Sequence, residues 1–170
     1  MTCDFHKINR LNDMQPNLNQ IINTDIIIKQ ISGKATIPIR HAVLRHGKPI
    51  EACYIQQDDL ENTYHFGLYY KNNLVAVSTF VADCSPLFND KTQYRLRAMG
   101  VLENYQGKHF GKQLLNYGVQ FLQTKKIDRL WFNARIKALN FYKNNGFETI
   151  GEIFDIPKVG PHYVMHKSIK

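Results

Sequence analysis

The sequence predicts a mixed α/β domain, and three observations point that way. Two runs rich in β-branched and aromatic residues, Tyr64 to Tyr70 and Leu74 to Ala82, flank the polar turn Lys71-Asn72-Asn73. An amphipathic helical pattern from Gly111 to Lys125 lies between two further β-type runs. A chain of 170 residues with 44% hydrophobic composition is also long and apolar enough to bury one core without disulfides or metal. Hairpins together with a strand-helix-strand unit imply a mixed sheet with flanking helices, largely antiparallel in its N-terminal half.

The elements follow in order. Residues 1 to 24 form an N-terminal extension rich in Asn and containing Pro16, yet Leu11, Met14, Leu18, Ile21 and Ile22 recur at helical spacing. Either a flexible tail or a docked amphipathic helix fits, and the domain proper spans residues 25–170. Ile26 to Ile31 is a β-branched run ended by Ser32-Gly33, and a helical period runs on through Ile39, Val43 and Leu44. Residues 46 to 63, with Gly47, Pro49 and the acidic Asp58, Asp59 and Glu61, read as a loop with at most a short helix. The turn at Lys71-Asn72-Asn73 is hairpin chemistry, because Asn tolerates positive φ, so the runs beside it pair antiparallel. Tyr94 to Val101 is a further strand, then comes the helix from Gly111, and Arg129 to Asn133 reads as a buried strand. Ile136 to Asn145 is a helix stopped by Gly146, and Phe147 to Phe154 and His162 to Lys167 close the sheet.

The formal charge of +8 attracts polyanions, a class that includes nucleic acid and any cofactor with several phosphates. Lys and Arg are scattered, however, and no recognition-helix, zinc-finger or aromatic-basic signature accompanies them, so nucleic acid is not expected as a partner. No stretch approaches the roughly 18 apolar residues of a membrane span, and Asp4, His6 and Lys7 interrupt any secretory apolar region. The expectation is a cytoplasmic protein without a membrane partner, and a homodimer is compatible with it. Cys3, Cys53 and Cys84 form no CxxC pair, so reduced thiols and no metal site are expected.

Between the strand at Tyr94 to Val101 and the following helix lies Gln106-Gly107-Lys108-His109-Phe110-Gly111. A strand feeding such a turn at a helix start leaves unpaired N–H groups aimed at one spot, where the positive helix end favours a phosphate. Gly107 and Gly111 permit close backbone approach, and Lys108 and Lys112 add charge. The implied ligand is a pyrophosphate; the plainer alternative is a Gly-rich loop before an ordinary helix. A dinucleotide fingerprint is excluded, because the turn lacks G-x-G and hairpins rather than a βαβ unit precede it.

The hexapeptide resembles the GNAT acetyltransferase signature Q/R-x-x-G-x-G/A, with Gln106 and Gly111 at its ends and His109 where an inner glycine is usual. Leu130-Trp131-Phe132-Asn133-Ala134-Arg135, continued through Ala138, Asn140, Phe141-Tyr142 and Gly146-Phe147, resembles the superfamily's strand, A-x-x-F-Y helix and G-F turn. Ile39-Arg40 with Val43-Leu44-Arg45, Leu96 to Val101 and Gly160-Pro161-His162 look like the ElaA-like branch. The resemblance covers residues 26 to 170.

It implies a GNAT-like mixed sheet whose central parallel strands splay, with the pantetheine arm of acetyl-CoA lying between them. Met99, Gly100 and Val101 would then bond to the arm and the acetyl carbonyl, with the Val101 N–H as oxyanion donor. Residues 106 to 112 (Gln106, Gly107, Lys108, His109, Phe110, Gly111 and Lys112) would hold the pyrophosphate. Asn133 and Asn140 would supply amides near the pantetheine and thiol. Met99 and Val101 as core residues, and Asn140 as a helix-face residue, are the plainer alternatives.

Acetyl transfer to an amine needs a neutral nucleophile, oxyanion stabilisation and a proton for the departing thiolate. Tyr142 matches the family tyrosine and is the expected acid, with simple packing beside Phe141 as the alternative. The base is open. The glutamate that some relatives carry before the phosphate turn is absent, because that stretch holds Arg95 and Arg97. His41, His65, His162 and Glu103 are the candidates, and Arg40, Arg45 and Arg97 are candidates to line the acceptor pocket, anchoring an acidic group on a small-molecule or peptide amine. The substrate set is thus Arg45, His65, Arg97 and His162. The competing reading is a non-catalytic acyl-CoA-binding module, supported by His109 and the missing glutamate.

Overall fold

The structure is a computed structural model and describes residues 25–170; the expectation for residues 1–24 lies outside these. Its elements are β1 (Ile26–Ile31), α1 (Gly33–Leu44), β2 (Tyr64–Tyr70), β3 (Asn73–Ala82), β4 (Gln93–Val101), α2 (Phe110–Thr124), β5 (Arg129–Arg135), α3 (Leu139–Lys143), β6 (Glu148–Ile156) and β7 (Gly160–Ser168). The strands form one sheet in the order β1-β2-β3-β4-β5-β7-β6. Every neighbouring pair is antiparallel except β4 and β5. This is the mixed α/β sheet expected, with its parallel pair at the centre.

Local chemistry accounts for the main joints. The β2–β3 hairpin turns through Lys71 at φ 48° and Asn72 at φ 65°, two successive left-handed residues whose twist suits the flanking strands. Ser32 caps α1, its hydroxyl accepting from the Ala35 N–H at 3.3 Å. Ile136 to Asn145, expected as one helix, is instead a 3₁₀ turn at Ile136–Ala138 followed by the five residues of α3. Ala138, at φ −102° and ψ −2°, departs from helical geometry and separates the two.

The two long helices cover opposite faces of the sheet. On one, α2 buries Leu114, Leu115 and Leu122 against Phe66, Phe80 and Leu130. It comes close enough to β3 that a Cβ at Gly118 would stand 2.2 Å from the Phe80 ring, so only glycine fits there. On the other face lies α1, and a Cβ at Gly100 of β4 would meet Val43 at 3.1 Å.

Strand β4 changes course midway. Val77 pairs with Gly100 and Thr79 with Arg97, so Ser78 alone faces Ala98 and Met99, and Ala98 takes φ 46°. This is a β-bulge, and bulges bend the strand that carries the extra residue. Parallel pairing with β5 joins only Gln93 to Arg129, Tyr94 to Leu130 and Arg95 to Trp131. Past those residues the strands separate.

A buried polar knot ties α1 to the sheet and to the loop after it. Arg40, 1% exposed, donates from Nη1 to Asp58 Oδ2 at 2.6 Å and from Nη2 to Asp58 Oδ1 at 2.9 Å. It also donates to the Cys53 carbonyl at 3.1 Å and to the Thr79 hydroxyl at 2.7 Å. His65 sits behind it with Nε2 2.9 Å from the Asp58 carbonyl and Nδ1 2.9 Å from the Thr79 hydroxyl. A carbonyl can only accept, so Nε2 bears a proton; with burial lowering its pKa the ring is neutral at pH 7, and Nδ1 then accepts from the Thr79 O–H. Cys53 is a buried free thiol, whereas Cys84 is disulfide-bonded. At Cys84 the expectation of a reduced thiol is corrected.

Burial works against the Asp58 charge, but the Arg40 guanidinium and the Ile55 N–H outweigh it and hold its pKa below the ordinary carboxylate value. Burial chiefly, and the Arg40 charge after it, lower the His65 pKa although the Asp58 contacts oppose them. In both cases the unfolded chain binds more protons than the native one, so stability falls as pH drops. The melting temperature should therefore decline below the ordinary His value of 6.5 as His65 is forced to charge, and more steeply below the ordinary Asp value of 3.8. At pH 7, Asp58→Ala leaves the Arg40 charge buried and alone and should cost about 3–5 kcal/mol by urea unfolding. An unchanged midpoint would show that the knot contributes nothing.

Candidate active site

Where β4 and β5 part, a cavity of about 790 Å³ opens. Its walls are β4 from Arg95 to Val101, β5 from Phe132 to Arg135, the end of α1, residues 52–55, α3, and the β6–β7 hairpin. Beyond Arg95 the edge of β4 that faces β5 has no strand partner, so its backbone polar groups on that side are available to an extended ligand, as they would be to another strand.

Met99, Gly100, Val101 and Asn133 line this cavity, as do Gln106 and Gly111 from the expected phosphate turn. In that turn Gly107 takes φ 76° and His109 φ 61°, ψ 10°. His109 thus adopts the left-handed backbone that the usual glycine would supply, at a cost of roughly 1–2 kcal/mol, and its exposed ring leaves the turn's shape intact. No side chain caps α2 at His109, so its first N–H groups remain open to an anion.

The side chains of the turn divide their work differently from expectation. Gln106 donates from Nε2 to the Val101 carbonyl at 3.0 Å, clamping the turn to the end of β4. Phe110 buries its ring in the core, leaving only its backbone at the turn. The Lys108 ammonium lies 5.3 Å from the Tyr105 ring centroid, a cation–π arrangement, while Lys112 is exposed. Asn140 is exposed on α3 and does not line the cavity.

Tyr142 lines the cavity from α3, its ring 4.3 Å from that of Phe132 and 5.0 Å from that of Phe141. Burial pushes its phenol up to about 12. The phenol therefore stays protonated throughout the physiological range.

The acceptor-side candidates separate into three groups. Arg45, Arg97 and His162 line the cavity. Arg40 reaches its wall, but its guanidinium is engaged by Asp58, Thr79 and Cys53. His65 is corrected: both its ring nitrogens are bonded within the knot, and it is absent from the cavity wall. His41 faces the Lys48 carbonyl at 2.9 Å, and Glu103 sits exposed in a 3₁₀ turn, both away from the cavity. His162 is buried with Nδ1 2.6 Å from the Gly160 carbonyl, which fixes that nitrogen as the donor. Arg135, Lys137, Tyr54 and Val159 also line the cavity, and sequence reasoning missed all four. For Arg135 the signal was present, since it ends the strand that resembles the family motif.

Residues 37–147 match the model of the Acetyltransferase (GNAT) family. The chain belongs to the GNAT acetyltransferase family. A curated relative, the uncharacterized N-acetyltransferase YitI of Bacillus subtilis (strain 168), is 34% identical over 143 residues, covering 84% of this chain and 96% of the relative. Among solved structures, an acetyltransferase of the GNAT family from Streptococcus pneumoniae superposes with a TM-score of 0.64 at 17% identity, covering 86% of this chain and 100% of that one. Arabidopsis thaliana Naa50, in complex with the bisubstrate analogue CoA-Ac-MVNAL, gives 0.64 at 18% identity over 85% of this chain and 99% of that one. The protein is therefore an acetyltransferase, and acetyl-CoA is its acetyl donor.

The residues present fit that donor: an uncapped α2 N-terminus stands for the pyrophosphate, and an open strand edge stands for the peptide-like arm. A Cβ at Gly111 would meet Phe141 and Val101 at 3.5 Å, ordinary contact, so Gly111→Ala should fold and bind. Gly111→Asp adds a negative charge at the expected anion site. It should abolish the rise in melting temperature that millimolar acetyl-CoA gives the unaltered protein, whereas Lys91→Asp, exposed and away from the turn, should keep it. Equal losses in the two variants would mean that net charge, not the turn, binds the donor.

Proposed function

We propose that this acetyltransferase moves the acetyl group of acetyl-CoA directly to a primary amine of a small-molecule or peptide acceptor. The observation that carries the reading is one cavity reaching from Gln106 and Gly111 at the phosphate turn, through the β4–β5 gap and past Tyr142, to Arg97 and His162 on the far side. Donor and acceptor can meet there without a covalent relay. When bound, the thioester supplies an activated acyl group and a leaving thiolate. The β4 backbone at Val101 is the proposed donor to the acyl oxygen, where a fixed N–H is worth most because negative charge develops there. The words at residues 39–45, 96–101 and 160–162 support a place near the ElaA-like branch.

Tyr142 is the proposed group at the leaving sulfur. With its phenol near 12 it is too weak an acid to titrate at neutral pH, but it is always able to donate a hydrogen bond to the thiolate as the carbon–sulfur bond breaks. A free alkylamine is only about 0.04% neutral at pH 7, and with no carboxylate lining the cavity its proton goes to water or to the Nε2 of the cavity-lining His162.

Tyr142→Phe keeps the ring packing against Phe132 and removes only the hydroxyl, so stability should change by less than about 1 kcal/mol. Turnover of a working amine should drop by roughly 10- to 10⁴-fold, with acetyl-CoA affinity within about twofold. Because the acceptor amine and not Tyr142 titrates below pH 10, the rise of rate with pH should persist in the variant. Full turnover in the Phe variant would reduce Tyr142 to a packing residue. Donor binding with no turnover of any amine would favour a non-catalytic acyl-CoA-binding module instead.

A further inference from the structure

The charged residues that line the cavity are Arg40, Arg45, Arg95, Arg97, Arg135 and Lys137, and neither Asp nor Glu is among the lining residues. Arg135 and Lys137 come from the end of β5 and the turn before α3, Arg135 opposite His162 in the β5–β7 ladder. The other four gather on the side of α1. There Arg40 is held bidentate by Asp58. Arg95 donates to Asp83 at 3.1 Å and stacks on Trp131 at 4.6 Å. Arg45 donates from Nε and Nη1 to the carbonyls of Ala52 and Leu44. Arg97, partly buried, has no ion-pair or hydrogen-bond partner among the described residues.

Its direction follows from the register. Arg97 pairs across the ladder with Thr79, so both side chains leave the same face of the sheet, and the Thr79 hydroxyl accepts from Arg40 of α1. The neighbouring pair, Leu96 with Phe80, points to the opposite face, where α2 packs at Gly118. Arg97 therefore faces away from the helix whose N-terminus meets the phosphates. Burial and the nearby Arg95, Arg45 and Arg40 charges all disfavour its charged form, against Asp83 alone. A partly desolvated guanidinium in such company favours an anionic ligand, and its planar fork matches a carboxylate. Beside it, Tyr54, Ile55, Ile156 and Val159 give the same cavity an apolar wall.

We infer that the acceptor is a small amine that carries a carboxylate, which Arg97 holds bidentate while the free Nη2 of Arg45 stands near. This rests on the amine-transfer reading and narrows it: polyamines and uncharged amines are rejected, the first by charge and the second because Arg97 would stay unpaired.

Binding tests it without turnover. The CoA-saturated protein is titrated calorimetrically with N-acetylglycine, N-acetyl-β-alanine and N-acetyl-L-leucine, each against its own carboxamide. At least one carboxylate should bind ten times or more tightly than its carboxamide. Arg97→Gln should erase that preference with CoA affinity within about twofold, and Arg97→Lys should restore part of it. No preference in the unaltered protein, no binding of any carboxylate at millimolar concentration, or a preference that survives Arg97→Gln would overturn the inference. A parallel thiol-release assay with glycine, β-alanine, leucine, their amides and spermidine separates the two readings. Carboxylate preference in binding with no amine turned over removes the transfer reading and leaves the carboxylate site. Turnover led by spermidine or by the amides removes the carboxylate site and leaves the transfer reading.

Discussion

The pairing of β4 with β5 runs for three residues, Gln93–Arg95 against Arg129–Trp131, and the cavity exists because it stops there. Two neighbours enforce the stop. The bulge at Ala98 turns β4 out of line, and α1, seated over Gly100, holds the turned segment from above. On its other side β5 stays paired with β7 along its whole length, Arg129 to Arg135, so β5 is kept straight while β4 leaves it. A gap between two strands of one sheet ordinarily exposes unpaired backbone at a cost of about 1–3 kcal/mol for each buried group. On the proposed reading those groups serve an extended donor arm, which would make the local deficit and the donor site one feature.

The same bulge decides how the arginines are used. Because the ladder shifts between Val77 and Thr79, Arg95 and Arg97 before the bulge keep the α1 face and are set beside Arg40 and Arg45. Asp58 and Asp83, each committed to one arginine, offset this crowding only in part. The knot at Asp58 has a second role. By also accepting from the Ile55 N–H at 3.0 Å, it folds residues 53–58 back over the sheet, which brings Tyr54 and Ile55 to the cavity wall.

Most of the fold was legible because its signals are local. The positive φ at Lys71 and Asn72 follows from turn chemistry, and the helix of Phe110–Thr124 from its apolar period. At His109 the backbone is left-handed, the conformation that the usual glycine would supply at that position. What stayed hidden depends on contacts between distant segments. Ala98 carries no sign of the bulge, because a small residue at φ 46° is held there by the strands around it. His65 and His162 look alike in sequence, and only the Thr79 and Asp58 contacts, 14 and 7 residues away, show that the first is structural. Arg40 and Arg97 were indistinguishable for the same reason: the carboxylate that claims Arg40 lies 18 residues along the chain.

The cationic wall also bears on the missing base. An ammonium entering beside Arg97, Arg95 and Arg45 is a like charge in a partly desolvated site, and both conditions lower its pKa. Each unit of lowering raises the neutral fraction of the amine about tenfold, starting from roughly 0.04% at pH 7. On the proposed reading, a wall of arginines would do part of what a glutamate does in some relatives, by weakening the amine's hold on its proton instead of offering a place for it. The two effects would conflict for a simple amine, since repulsion that activates it also keeps it out. A carboxylate on the same molecule resolves the conflict, because its attraction to Arg97 can offset the repulsion on entry while the amine, deeper toward Tyr142, still meets an unfavourable field.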